Sequence, residues 1–223
     1  MRKVVSFDCY RTLINFDTQA ATHEIVKDRL ARLGVDAKQF HHDAYVMRFQ
    51  GVVDEYRPYR EIVRRTLRNV MLLHGLEYRD EDGEALIEAI KKFKPFHEVP
   101  DALRRLKSEY DIAILSNSED DLISYAVEEL GVEWDYVLTA EQAGAYKPLP
   151  RAFEYLMTAT GRGPQDIIHT AQGWEYDIMP TKRYEAEGMR RVWVNRYGFP
   201  GSAAYQPYEE IRDLSELPGL LGV

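Results

Sequence analysis

Val4-Val5-Ser6-Phe7-Asp8-Cys9-Tyr10-Arg11-Thr12-Leu13 starts as an apolar run and meets a lone carboxylate. Lys3–Phe7 is short and rich enough in valine and phenylalanine to predict a buried β-strand. In an open α/β sheet, helices cover both faces, so ligands collect beyond the carboxyl ends of the strands. Asp8 stands at such an end and is a candidate nucleophile. Tyr10, two residues on, bears on whether a metal can sit beside it, whereas Cys9 suits packing as a small buried residue.

Outward from this segment, β-rich runs alternate with helical patterns after residue 96, the signature of βα units around a parallel sheet. The later strands are predicted at Ile112–Leu115, Tyr136–Thr139, Ile167–His169 and Arg191–Val194. Helices are predicted at Asp101–Glu109, Asp120–Leu130, Pro150–Thr160 and Ile178–Glu187, from apolar residues at three- and four-residue spacing. About a hundred residues separate the first strand from the second, far beyond an ordinary connection. The intervening segment carries helical patterns at Ala21–Leu33, Ala37–Gln50, Tyr59–His74 and Asp82–Phe93, broken by Gly34, the stretch from Gly51 to Pro58, and Gly75. The expected organisation is a core of residues 1–14 and 95–223 with a helical cap of residues 15–94. From Gly198 to Val223 the prolines and glycines predict a turn-rich edge with one short helix.

The 223 residues, 45% of them hydrophobic, are enough for a packed core, and a net charge of -8 argues against general affinity for nucleic acid or anionic lipid. A small molecule is the better partner. One cysteine permits no internal disulfide and fits a reducing compartment. No apolar run reaches membrane-spanning length, and Asp8 interrupts the N-terminal one, so no signal peptide is expected and the protein reads as cytoplasmic.

Four successive strand ends carry polar groups: Asp8 with Thr12, Ser116-Asn117-Ser118, Lys147 before Pro148, and Gln172 with Asp177. A parallel sheet brings all four loops to one rim. Each has a structural alternative. Asp8 could cap a turn, Lys147 could be a surface lysine, and Asp177 could favour a helix N-terminus. Ser118 with Asp121 has capping-box spacing and reads as a cap.

The order Phe7-Asp8-Cys9-Tyr10-x-Thr12-Leu13, Leu115-Ser116-Asn117, Tyr146-Lys147-Pro148 and His169-x-Ala171-Gln172-x-x-x-x-Asp177 resembles the haloacid dehalogenase (HAD) superfamily. The likeness is strongest to its type II (S)-2-haloacid dehalogenase branch, and Val192-Trp193-Val194-Asn195-Arg196 adds to it. The resemblance implies a Rossmann-like α/β core, a parallel sheet flanked by helices, with an inserted helical cap. It also implies a metal-independent hydrolase that turns a small 2-haloalkanoate into a 2-hydroxy acid through an aspartyl ester. Asp8 would attack, Lys147 would keep it ionised, and Asp177 would direct the hydrolytic water with help from Gln172. Ser116 would bind the substrate carboxylate and Asn117 the halide, with Thr12 in the same site. Arg48 resembles the halide-binding arginine by location and is otherwise a solvated helix arginine, while Trp174 is either a pocket wall or a packing residue. No cofactor is implied, and a homodimer is an expectation from the resemblance.

Magnesium-dependent phosphatases of the superfamily carry carboxylates where Tyr10 and Gln172 stand here, and a phenol and an amide are poor ligands for a hard octahedral cation. A HAD phosphatase acting on a small phosphorylated metabolite is the alternative enzyme. Arg11 occupies a place usually held by glycine and could block or recharge the pocket mouth, which leaves a catalytically idle binding protein as the third reading. Met179-Pro180 replaces the family's usual pair of small residues.

Overall fold

The structure, a computed structural model, describes residues 2–223. The chain forms β1 (Val4–Phe7), then α1 (Thr18–Leu33), α2 (Ala37–Val53), α3 (Tyr59–Leu73) and α4 (Asp80–Ile90). It continues through α5 (Val99–Leu106), β2 (Asp111–Ser116), α6 (Asp120–Leu130), β3 (Tyr136–Thr139), α7 (Ala140–Ala143) and α8 (Pro150–Thr160). The last strands are β4 (Ile167–Ala171), β5 (Arg190–Val194) and β6 (Glu209–Ile211). Two compact units result, one of residues 1–15 and 94–223, the other of residues 16–93.

In the first unit the six strands lie in the order β3-β2-β1-β4-β5-β6, and every pairing is parallel. Strand order runs outward from β1 to β3 on one side and from β4 to β6 on the other. The switch point therefore falls between β1 and β4, where an open sheet leaves a crevice beyond the strand ends. β1 is buried along its whole length, as two-sided coverage of a parallel sheet requires. On one face Val4, Ala113, Leu115 and Ile167 pack with Phe153 and Leu156 of α8 and with Tyr184 and Met189. After β1 the chain leaves and re-enters this unit side by side, with Asn15 N–H donating to the Lys94 carbonyl at 2.8 Å and Phe96 N–H to Leu13 at 3.0 Å.

α6 and α8 span the predicted residues, whereas other helices differ at their ends and three stretches differ in ways that have a physical cause. α2 runs through Gly51 to Val53, and the glycine expected to break it instead permits close helix packing, since a Cβ there would stand 3.0 Å from Ile62 Cγ2 of α3. The helix expected over Ile178–Glu187 is irregular: a π-turn at Trp174–Ile178, one α-turn at Met179–Thr181 containing Pro180, and a 3₁₀ segment at Lys182–Glu187. The C-terminal tail contributes a sixth strand. β6 has no apolar alternation to betray it; it is pinned to β5 by paired backbone and by the Arg190 guanidinium, which meets Glu209 at 2.9 and 2.7 Å.

In the second unit Asp17 and Asp36 accept hydrogen bonds at the starts of α1 and α2, and Gly34 ends α1 with φ 65°. The Arg29 guanidinium grips Asp82 through two bonds of 2.8 and 2.7 Å, joining α1 to α4.

Candidate active site

β1 ends and Asp8 begins at the switch point, with Asp8 N–H donating to the Thr170 carbonyl of β4 at 3.1 Å. Its side chain keeps 13% exposure. Thr12 Oγ1 donates to Asp8 Oδ2 at 2.7 Å and itself accepts from Gln172 N–H at 2.8 Å, so loops after β1 and β4 fix one carboxylate oxygen together. The other, Oδ1, accepts from Lys147 Nζ at 2.9 Å.

Lys147 also donates to Asp177 Oδ1 at 2.6 Å, and both of these side chains are 1% exposed. One ammonium thus joins two carboxylates, an arrangement that excludes the surface-lysine alternative. Asn117 clamps the lysine backbone: its Nδ2 donates to the Lys147 carbonyl and its Oδ1 accepts from Lys147 N–H, each at 2.8 Å. Asn117 is therefore a support for Lys147, a function the sequence reading did not assign to it.

Burial favours the uncharged form of all three groups, yet their charges separate the outcomes. Burial and the Asp177 charge raise Asp8 above the ordinary carboxylate range, against the pull of Lys147 and Thr12. At Asp177 burial is outweighed by Lys147 and by a hydrogen bond from His169, which hold it below that range. For Lys147 burial is outweighed by the two carboxylates, which hold the ammonium above its usual value. Two carboxylates pushed in opposite directions can divide roles between them.

Ser116 closes β2 with a buried Oγ that has no hydrogen-bond partner among the described residues. Ser118 is not the expected cap. α6 has Glu119 at its N-cap, Glu141 Oε2 accepts from Asp120 N–H at 2.8 Å, and Ser118 Oγ is buried without a hydrogen-bond partner among the described residues. The capping was hidden because its acceptor comes from α7, outside the local sequence. The backbone of Gln172 serves the site through Thr12, and its carbonyl accepts from Trp193 Nε1 at 3.1 Å. Trp174 takes the packing alternative: its ring lies 4.7 Å from Trp193 and 5.4 Å from Tyr208, centroid to centroid. Arg48 lies on α2 in the second unit, where it donates to Thr18 Oγ1 at 2.9 Å.

Arg11 adopts φ 70°, the left-handed conformation that glycine supplies without strain, and it does so as a non-glycine residue. Its guanidinium stands over the Tyr197 ring at 4.8 Å. Tyr10 brings its hydroxyl to 3.5 Å from the Leu122 carbonyl. Cys9 is fully buried, and burial raises its thiol well above the usual range, so it packs as an inert side chain. Two further residues support the site. Arg196 donates to the Thr12 carbonyl at 2.8 Å while pairing with Glu98 at 2.5 Å, and His169 contacts Asp177.

An aspartate at the switch point of a parallel sheet, tied through lysine to a second aspartate, places an ion-paired carboxylate site at the crevice of an α/β fold. The chain belongs to the haloacid dehalogenase-like hydrolase family, which it matches over residues 2–178. It is 30% identical over 151 residues to haloacetate dehalogenase H-2 of Moraxella sp. (strain B), covering 66% of this chain and 66%, just under two thirds, of that protein's length. With (S)-2-haloacid dehalogenase 4A of Burkholderia cepacia it shares 26% identity over 174 residues, 76% of this chain and 74% of that one. The structure of L-2-haloacid dehalogenase from Xanthobacter autotrophicus superposes with a TM-score of 0.80 at 18% identity, covering 100% of this chain and 99% of the other, a likeness of fold.

Proposed function

We propose that the protein is a 2-haloacid dehalogenase that acts without a metal, converting a small 2-haloalkanoate into the 2-hydroxy acid of inverted configuration. The observation that carries this reading is the shared lysine, with Lys147 Nζ at 2.9 Å from Asp8 and 2.6 Å from Asp177. An Asp8 oxygen attacks C2 from behind; the carbon–halogen bond breaks and halide leaves with its electron pair, giving an ester at Asp8. Lys147 and Thr12 favour the ionised nucleophile and hold it in a defined pose. Water then adds to the ester carbonyl carbon of Asp8, its proton passing to Asp177. Collapse of the adduct releases the hydroxy acid and restores Asp8. C2 is inverted once, because the second step does not touch it. Ser116 Oγ, buried without a hydrogen-bond partner among the described residues, is suited to donate to the substrate carboxylate.

The residues present do not fit a magnesium site. An oxygen of each carboxylate is already engaged by the Lys147 ammonium, and the neighbouring positions offer the phenol of Tyr10 and the amide of Gln172. The Arg11 guanidinium is engaged with the Tyr197 ring, which gives the side chain a defined partner. The test is halide release from 2-haloacids in excess chelator. Magnesium-dependent phosphate release, abolished by Asp8→Asn, is the result that replaces this reading with the phosphatase.

A further inference from the structure

The parallel register of β1 and β4 sets Ser6 beside His169, both fully buried. Ser6 Oγ lies 2.9 Å from His169 Nδ1, and His169 Nε2 lies 3.0 Å from Asp177 Oδ1. A hydroxyl can donate to Nδ1, and Nε2–H can then donate to the carboxylate, which satisfies every polar atom with a neutral imidazole. Phe153 fixes the ring plane from the side, edge-on at 5.5 Å and 89°. The imidazole is therefore held at three points inside the sheet.

This ring and Lys147 converge on the same atom. Asp177 Oδ1 accepts from Nζ at 2.6 Å and from Nε2 at 3.0 Å, two charge-assisted or polar donors on one oxygen. The second oxygen, Oδ2, faces the Gly173 backbone so closely that a Cβ there would collide with it. Gly173 also begins the π-turn, its carbonyl accepting from Asp177 N–H at 3.1 Å and Ile178 N–H at 3.2 Å. Glycine is thus required at 173 by the position of a single carboxylate oxygen.

We infer that Asp177 works through Oδ2 alone and that His169 is the positioning residue that makes it so. With Oδ1 committed to Lys147 and His169, the carboxylate cannot rotate, and Oδ2 is the oxygen left to take the proton of the attacking water. The inference rests on the dehalogenase reading above and assigns His169 to one half of it. His169 acts on the hydrolysis of the ester, and the attack of Asp8 on C2 does not depend on it. The water oxygen bonds to the Asp8 carbonyl carbon as its proton goes to Asp177 Oδ2; the bond between that carbon and the C2-bound oxygen then breaks, and Asp177 Oδ2–H returns the proton to the departing alkoxide, which leaves as the hydroxy acid.

The test follows halide and ester separately. His169→Phe keeps a ring of similar shape without a donor, His169→Asn keeps a group near Nδ1 that falls short of Asp177, and His169→Gln places an amide N–H close to the Nε2 position. With wild-type enzyme and a 2-haloacid, steady halide release is measured first. In the Phe and Asn variants the first-turnover halide burst is expected to persist while steady turnover falls about 10- to 100-fold, as misplacement of a catalytic group does. Intact-mass and peptide analysis should then find the ester on Asp8 accumulating, and His169→Gln should recover part of the turnover. Matching near-ultraviolet circular dichroism identifies the variants that fold; Asn carries the test if Phe does not. A burst that slows in step with turnover, with no ester accumulating, overturns the role of His169 while leaving the dehalogenase reading intact. Absence of halide release from wild-type enzyme overturns that reading and this inference with it.

Discussion

Replacing Lys147 with methionine removes the one cation between two buried carboxylates while keeping a side chain of comparable length. Each contact, at 2.9 and 2.6 Å, corresponds to about 6 kcal/mol of Coulomb attraction at an effective dielectric of about 20. Desolvation of the three groups offsets much of that, and loss of one member of a buried ion pair costs about 3–5 kcal/mol because the remainder is left uncompensated. At pH 7 Lys147→Met should therefore lower the urea midpoint by about 1–2 M. The pH dependence has a definite sign. Asp177 is held below its ordinary value, so its stabilising contribution is present above the unfolded carboxylate pKa and lost as pH falls through the folded one. In the variant, acid protonates the two facing carboxylates and removes their repulsion. At pH 4, still above the window in which Asp177 loses its contribution, it is the relief of repulsion in the variant that makes the gap smaller than at pH 7. Tryptophan fluorescence is a suitable probe, because all three tryptophans, Trp134, Trp174 and Trp193, lie in the first unit. A midpoint shift under about 0.3 M at pH 7, or the same shift at both pH values, would refute the shared-lysine account.

The two aspartates should respond oppositely to neutralisation. Asp8, raised above its ordinary value mainly by burial, is less comfortable ionised in the folded protein, so Asp8→Asn should abolish turnover while raising stability at pH 7 by about 0.5–2 kcal/mol. Asp177→Asn should lower stability by about 1–3 kcal/mol, since the lowered pKa marks a carboxylate stabilised as an anion. Chemical denaturation of both variants at pH 7 checks the signs. Gly173→Ala drives a methyl group into Asp177 Oδ2; it should cost about 1–3 kcal/mol and slow turnover more than it changes KM.

The features that were legible in the sequence are those whose meaning is local. Asp8 interrupts an apolar run, Lys147 and Asp177 follow predicted strands, and α6 and α8 show their apolar spacing and their bounds. The role of His169 was not legible, because a histidine inside a strand pattern reads as an interior residue until register is known. Only the β1–β4 pairing sets it against Ser6 and, across the strand end, against Asp177. Gly173 was silent for the same reason, its constraint arising from an oxygen four residues away in a π-turn. Ser118 misled because the acceptor that starts α6 comes from Glu141 on another helix. β6 escaped notice because Glu209-Glu210-Ile211 is charged on an edge, where solvated side chains are common and apolar alternation is not needed. Arg11 is legible only as an anomaly: the sequence shows a large cation in a glycine position, and the structure gives it a left-handed backbone and a tyrosine to rest on.

The most direct test of the central claim is halide release by the purified protein from a panel of 2-haloacids in excess chelator, with Asp8→Asn as control. Release is expected to continue with all divalent metal removed and to disappear in the variant. Absence of halide from every substrate in the panel, or release that requires added magnesium, would contradict it.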